Sequence, residues 1–113
     1  MLSKDKKINT QLFKEILESG KMYSSDLFSL KYLRSSIEEN SRFAVVAPKK
    51  QFKKAFQRNF IKRKVFNIIK DVYEDILPSF NIIFFLKKEV KDSNYEELKK
   101  EIITSLKQIK VIN

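Results

Sequence analysis

Residues 80–86, FNIIFFL, form the stretch around which the fold can be assembled. Six of these seven side chains are apolar, and Asn81 is the polar exception. A short run that is apolar at consecutive positions, rather than at every second one, is typical of a β-strand buried on both faces. We therefore predict a strand over residues 80–86.

The preceding segments complete a β-α-β unit. Residues 42–47, RFAVVA, are apolar, partly β-branched, and bounded by the polar turn 37–41 and by Pro48, which predicts a strand. Residues 51–75 contain no glycine or proline, which predicts that they form the longest helix of the chain. This helix cannot continue past Pro78. Its apolar face comprises Ile61, Val65, Ile68, Ile69 and Val72.

A short amphipathic helix is predicted near the N-terminus. Leu12, Phe13, Ile16 and Leu17 share one helical face. Either Asn9 or Thr10 can cap the start, and Gly20 suits the left-handed position that follows many helices.

Two more elements give a small α+β fold. Residues 28–33 alternate like a strand, which we expect to run antiparallel to 42–47. Ser93 and Glu96 form a capping box that opens a final helix. The apolar face of that helix comprises Tyr95, Leu98, Ile102, Leu106 and Ile109. The predicted order is α-β-β-α-β-α, a two-layer α/β sandwich forming one domain over residues 1–113.

The charge of the chain is concentrated. The net charge is +10, from 24 basic and 14 acidic residues, yet residues 40–70 contain no acid and ten basic side chains. These are Arg42, Lys49, Lys50, Lys53, Lys54, Arg58, Lys62, Arg63, Lys64 and Lys70. The remaining 14 basic residues balance the 14 acidic ones, so the whole excess lies in this segment. A local excess of this kind attracts polyanions.

The composition excludes several kinds of chemistry. The chain has no cysteine or histidine, which removes disulfides, the usual zinc sites and nucleophiles paired with histidine. A single glycine excludes a glycine-rich phosphate loop. We predict no catalytic residue and no metal site on this protein. No apolar run approaches the roughly 20 residues that cross a bilayer, and no signal peptide is recognisable, so we expect a cytoplasmic protein.

Two interpretations of the basic segment follow. It is either a solvated helix face or a surface that binds nucleic acid, and the long absence of acids favours the second. A helix–turn–helix DNA-binding protein needs another helix just before the recognition helix, whereas here a strand and Pro48 precede it. We therefore expect RNA as the partner, and neither DNA nor a membrane. Phenylalanines interrupt the segment at Phe52, Phe56, Phe60 and Phe66. Stacking on bases and packing in the core both remain open for them.

The motif in this segment resembles that of the bacterial ribonuclease P protein component. The matching residues are Pro48-Lys49-Lys50 and Ala55-Phe56-Gln57-Arg58-Asn59-Phe60-Ile61-Lys62-Arg63. The element order and chain length are similar as well, so the resemblance covers nearly the whole chain. It departs from the family at Phe60 and Phe66, where the family keeps arginine, and in the crossover, which usually carries a glycine.

The resemblance implies a subunit of an RNA-catalysed endonuclease that removes 5′ leaders from precursor tRNA. The catalytic groups and magnesium ions would belong to the catalytic RNA, and the β-α-β crossover would be left-handed. The residues implied to bind the catalytic RNA are Arg58, Asn59, Lys62, Arg63, Lys49, Lys50, Lys53 and Lys54. A cleft between the sheet and the first helix would hold the leader of precursor tRNA, lined by Phe13, Leu17, Phe28, Lys31 and Tyr32. The alternative function is that of a non-catalytic ribosomal or RNA-chaperone binding protein.

Overall fold

The computed structural model describes residues 6–87 and 95–112. The helices and strands are α1 (Thr10–Ser19), β1 (Lys21–Ser24), β2 (Phe28–Arg34), β3 (Arg42–Val46), α2 (Ala55–Val72), β4 (Phe80–Leu86) and α3 (Tyr95–Gln108), with a 3-10 turn at Tyr73–Asp75 after α2. The α+β class is confirmed, and β1 is an additional strand that the sequence patterns did not indicate. Within the two described ranges, no helix combines the length and the apolarity that crossing a membrane requires.

The strands form one sheet in the order β1-β2-β4-β3. β4 is parallel to β3 and antiparallel to β2, and β1 is antiparallel to β2. The predicted antiparallel directions of β2 and β3 are confirmed, but the two strands are not neighbours, because β4 lies between them. The strand that is apolar at almost every position takes an interior place in the sheet, where both of its faces are covered.

The main core lies between one face of the sheet and helices α2 and α3. We call this side of the sheet the core face. The buried side chains are Leu27, Phe28, Leu30, Phe43, Val45, Ile82, Phe84 and Leu86 from the sheet region, and Ile61, Val65, Phe66, Ile68, Ile69, Leu98, Ile102 and Leu106 from α2 and α3. The predicted apolar faces of both helices are thus confirmed, although Ser93 of the capping box lies outside the described residues. Each such side chain contributes roughly 1.5–3 kcal/mol through burial.

Helix α1 packs on the opposite side of the sheet, which we call the α1 face. Its Ile16 is fully buried, and the Asn9 side chain caps its start by accepting a hydrogen bond from the Leu12 N–H at 2.9 Å. The prediction of a left-handed Gly20 is wrong, because Gly20 has φ −72° and ψ 152°. Space explains the glycine instead: a Cβ there would lie 2.5 Å from the Ile16 oxygen and 3.2 Å from the Tyr32 oxygen. Glycine lets the chain pass from α1 directly into β1 beside β2.

Helix α2 begins four residues later than predicted. The backbone N–H groups of Gln51 and Phe52 both donate to the Pro48 oxygen, which makes residues 48–52 a turn. The helix then starts at Ala55, and the Gln57 side chain accepts a hydrogen bond from the Lys54 N–H at 3.1 Å. The first turn of α2 contains no acidic residue, so nothing there offsets the positive end of the helix dipole.

Candidate nucleic-acid interface

The structure places most of the predicted RNA-binding residues at exposed positions of two consecutive elements, the β3–α2 loop and helix α2. Four lysines are exposed on the loop between β3 and α2, Asn59 and Arg63 are exposed on α2, and Lys62 is half-buried. We call this set the basic surface; it comprises Lys49, Lys50, Lys53, Lys54, Asn59, Lys62 and Arg63. Across residues 6–87 and 95–112, no ion pair involves these side chains. Their charge is therefore available to an anionic ligand.

Arg58 has a structural role that the sequence did not indicate. Its guanidinium Nη1 donates to the backbone oxygen of Phe52 at 2.8 Å and to that of Lys53 at 3.2 Å. The Phe52 ring is only 2% exposed and anchors the same loop in the core. Arg58 thus fastens the lysine-bearing loop to α2, and at least one of its nitrogens is engaged within the protein.

The four phenylalanines between residues 52 and 66 separate into two pairs. Phe52 and Phe66 are buried in the core, while Phe56 is 66% exposed and Phe60 is 38% exposed. Of the two possibilities that the sequence left open for Phe66, the structure therefore shows packing in the core. An aromatic ring gains far more by joining the neighbouring core cluster than by lying in water.

Three of the predicted cleft residues meet on the α1 face. The Phe13 ring contacts the Phe85 ring edge-on, with centroids 6.4 Å apart and planes at 63°. Leu17 is 40% exposed, and the Lys31 ammonium donates to its backbone oxygen at 2.9 Å. Lys31 therefore satisfies a carbonyl in the last turn of α1, where a cation also complements the helix dipole.

The other two predicted cleft residues lie on the wrong side of the sheet. Side chains alternate between the faces of a strand, so Phe28 and Tyr32 share the core face with Leu30, and only Lys31 among the predicted sheet residues lies beneath α1. Phe28 is fully buried and contacts Phe84 edge-on at 5.3 Å. Tyr32 is half-buried against the core cluster. Neither side chain lines the cleft.

The structure supplies cleft residues that the sequence patterns missed. Phe85 is half-buried, and Val46, its register partner on β3, is half-buried on the same α1 face. Ala44, two residues earlier on β3, also remains partly exposed. Side-chain alternation along β3 and β4 shows which residues face α1, but only after the register between the strands is known. Because residues 80–86 are apolar at almost every position, the sequence alone does not show which of them lie on the α1 face.

A surface cleft of 460 Å³ lies beside the first turns of α1 and the end of β2. Its lining carries both charges, including an ion pair in which the Arg42 guanidinium lies 3.6 Å from the Glu39 carboxylate. Two buried polar atoms in this lining lack a hydrogen-bond partner: Nε of Arg42, a donor, and Oδ1 of Asn81, an acceptor. The cleft therefore suits a ligand that both donates and accepts hydrogen bonds.

The described residues were also compared with the side-chain groups that bind metal ions. Across the part of the chain that the structure describes, no three or more acidic, histidine or cysteine side chains come together in a way that could hold a metal ion. The features that the described surface does offer are cations, amides and aromatic rings, which are the groups that bind single-stranded and structured RNA.

Comparisons with known proteins agree with this geometry. The sequence model of the family described as Ribonuclease P matches residues 2–110. The ribonuclease P protein component of Fusobacterium nucleatum is 32% identical over 104 residues, which cover 88% of this chain and 92% of that protein. That of Onion yellows phytoplasma is 31% identical over 84 residues, 74% of this chain but only 59% of that longer protein.

The fold agrees as well. The structure of the Staphylococcus aureus RNase P protein matches with a TM-score of 0.82 at 23% identity, covering 98% of this chain and all of that chain. The family match extends over nearly the whole chain, and the motif at residues 48–63 lies on the basic surface and its supporting loop. The chain therefore belongs to the family of the ribonuclease P protein component, a part of a tRNA-processing endoribonuclease.

Proposed function

We propose that this chain binds the catalytic RNA of a bacterial ribonuclease P and the 5′ leader of precursor tRNA, and so assists removal of the leader by the RNA. The observation that carries the proposal is the basic surface on the fold of this family. It comes from a segment without acids, and none of its side chains forms an ion pair with the residues that the structure describes. A second surface, the partly open α1 face, is available for a second RNA segment at the same time.

The basic surface is assigned to the catalytic RNA. Lysine ammonium groups and the Arg63 guanidinium bind phosphate oxygens, and the guanidinium adds a fixed fork of donors. The Asn59 amide can donate to and accept from base edges or riboses. The first turn of α2 contains no acid and lies beside Lys53 and Lys54, so the positive end of the helix dipole strengthens attraction for phosphates there.

The α1 face is assigned to the leader. Phe13 and Phe85 offer ring surfaces at its centre, and base stacking on such rings contributes roughly 1–3 kcal/mol per base without demanding a particular sequence. Leu17 adds exposed apolar surface at the end of α1, next to Lys31. A single-stranded segment has unpaired bases for the rings, whereas the duplex arms of mature tRNA do not.

The chemistry of cleavage is assigned to the RNA. A chain without histidine or cysteine lacks the common general bases of ribonucleases. We propose that the magnesium ions and the catalytic groups are held by the catalytic RNA, that this protein contributes binding energy and counter-charge, and that it acts in the cytoplasm.

Reconstitution tests the proposal. The folded protein is mixed with a bacterial ribonuclease P RNA and precursor tRNA at a low magnesium concentration, and cleavage is measured with and without protein. We expect a gain in cleavage rate that the double variant Lys62→Ala/Arg63→Ala largely loses. The control is Lys100→Ala, which removes an exposed charge on α3 outside the basic surface. This variant should retain the gain in cleavage rate. No gain with folded wild-type protein would refute the proposal.

Affinity measurements separate this function from that of a ribosomal or RNA-chaperone protein. In the presence of the catalytic RNA, the proposed subunit binds precursor tRNA more tightly than mature tRNA. A general RNA-binding protein would bind both equally, and that result would favour the alternative.

A further inference from the structure

We propose that Phe56 and Phe60 form a stacking platform for unpaired bases, so that the basic surface binds flipped-out or looped nucleotides as well as phosphates. This inference rests on the proposed function, because it concerns the same RNA. It assigns a ligand contact to two side chains that carry no charge. The partner feature it requires is a bulge, loop or end in which at least one base is unstacked.

The two rings are neighbours on the exposed side of α2. They are four residues apart, which places them on one helical face and about 6 Å apart along the helix axis. Helical spacing puts Arg63 on the same face, one turn beyond Phe60, and Arg63 is exposed. A base stacked on either ring would therefore have its phosphate within the positive field of the basic surface.

Burial within the protein does not fully account for these rings. Phe52, in the loop before α2, and Phe66, on α2, enter the core, whereas Phe56 and Phe60 do not. Phe56 remains 66% exposed and Phe60 38% exposed. Leaving two large apolar rings side by side on a polar helix face favours association with a partner.

Cations already accompany both rings. The Lys54 ammonium lies 5.8 Å from the centre of the Phe56 ring, and the Lys64 ammonium lies 5.0 Å from that of Phe60. The π-face of such a ring attracts cations, so the arrangement concentrates positive charge next to flat apolar surface. Nucleotides have the complementary combination, a flat base joined to an anionic phosphate.

Charge also decides between RNA and a second copy of this chain. A symmetric dimer through Phe56 and Phe60 would place two acid-free segments against each other, each with ten basic residues between Asn40 and Lys70. Like charges at close range oppose such a contact, whereas a polyanion is attracted to it. The occupant we assign is therefore RNA.

Binding measurements with an in vitro transcribed bacterial ribonuclease P RNA test this assignment. We expect Phe60→Ala and Phe56→Ala each to lower affinity by about 5- to 150-fold, as expected for loss of one stacked base. The slope of log affinity against log salt should not change, because no charge is lost. Phe60→Tyr should retain affinity, and Phe60→Leu should not, since leucine preserves apolar surface but has no flat ring.

The control and the contrary outcomes are defined by the same experiment. Ile37→Ala removes a side chain that is 68% exposed and lies outside the basic segment, and it should leave affinity unchanged. If wild-type protein binds the RNA tightly and the alanine variants bind equally well, the stacking assignment is refuted while the proposed function stands. If wild-type protein does not bind, both are refuted. Sedimentation that shows a wild-type dimer lost in Phe60→Ala would identify a protein interface instead.

Discussion

The two faces of the sheet differ in how completely they are covered. On the core face, α2 and α3 enclose a continuous apolar cluster in which Phe28, Phe43 and Phe84 are fully buried. On the α1 face, one ten-residue helix covers part of the sheet and leaves Phe85 and Val46 half-exposed. The same kinds of residue therefore serve different ends: on one side they stabilise the fold, and on the other they remain accessible to a ligand.

This contrast explains why only some of the residues predicted to line the cleft lie on one face of the sheet. Phe13, Leu17 and Lys31 lie at the open face, whereas Phe28 and Tyr32 belong to the closed one. Aromatic character alone does not distinguish a binding residue from a core residue. The side of the sheet does, and alternation along the strand sets the side.

Replacing Phe28 by alanine tests the closed face and has the largest expected effect. Loss of a fully buried ring leaves a cavity and should lower the free energy of unfolding by about 3–5 kcal/mol. Urea denaturation followed by circular dichroism measures it. Met22→Ala, at a position 61% exposed, is the control and should change stability by less than about 0.5 kcal/mol. A small loss of stability together with lost leader binding would place Phe28 in the cleft after all.

Replacing Phe13 by alanine tests the open face. The ring is half-buried, so we expect a smaller loss of stability but a loss of preference for precursor over mature tRNA of about 5- to 150-fold. The preference is measured as a ratio of affinities in the presence of the catalytic RNA. Phe13→Tyr preserves the ring and should preserve the ratio. An unchanged ratio in a folded Phe13→Ala protein would show that the leader lies elsewhere.

Replacing Gly20 by alanine tests how closely α1 approaches the sheet. Alanine loses less entropy on folding, which favours it by about 0.4–1 kcal/mol, but its Cβ would collide with the Ile16 carbonyl. We expect the collision to dominate and stability to fall by about 1–3 kcal/mol, measured by thermal or urea unfolding. Ser19→Ala, at the exposed preceding position, is the matched control. A stabilised Gly20→Ala protein would mean that α1 can move away from β2 at little cost.

Replacing the two arginines of α2 separately compares a residue of the basic surface with one that holds the loop, and the change of salt dependence is the smallest of the expected effects. Arg63 is exposed, so Arg63→Ala should flatten the slope of log RNA affinity against log salt by about 0.7–0.9 while leaving stability unchanged. Arg58 is hydrogen-bonded to the loop, so Arg58→Ala should lower stability by about 1.5–3 kcal/mol in addition to any change of slope. Equal effects of the two variants on stability would contradict the assigned role of Arg58.

Local sequence patterns predicted much of the fold. The apolar faces of α2 and α3, the buried strand at 80–86 and a cap at Asn9 or Thr10 all rest on residues close together in the chain. The faces and the strand were confirmed, and of the two cap candidates it is Asn9 that caps α1. Strand β1 was missed because its four residues, KMYS, show neither a long alternation nor a strong β propensity. The Ser93 capping box and the left-handed crossover stay predictions.

For the candidate site, the sequence predicted some residues and missed others. The basic surface follows from charge along the chain, so its residues could be named in advance. Arg58 and Phe66 could not be assigned in this way, because a helical projection shows angle but not what lies opposite. Phe85 was hidden in a run that is apolar on both sides, where no alternation marks the open face.

By itself, the sequence determined the α+β class, an acid-free basic segment that attracts polyanions, and the helices α2 and α3, because periodicity and charge are local properties of the chain. Only the tertiary structure decided that β4 lies between β2 and β3, which side of the sheet each aromatic residue occupies, and which two of four phenylalanines remain exposed. The physical reason is that strand pairing and burial join residues far apart in sequence, and side-chain alternation indicates a face only after those partners are fixed.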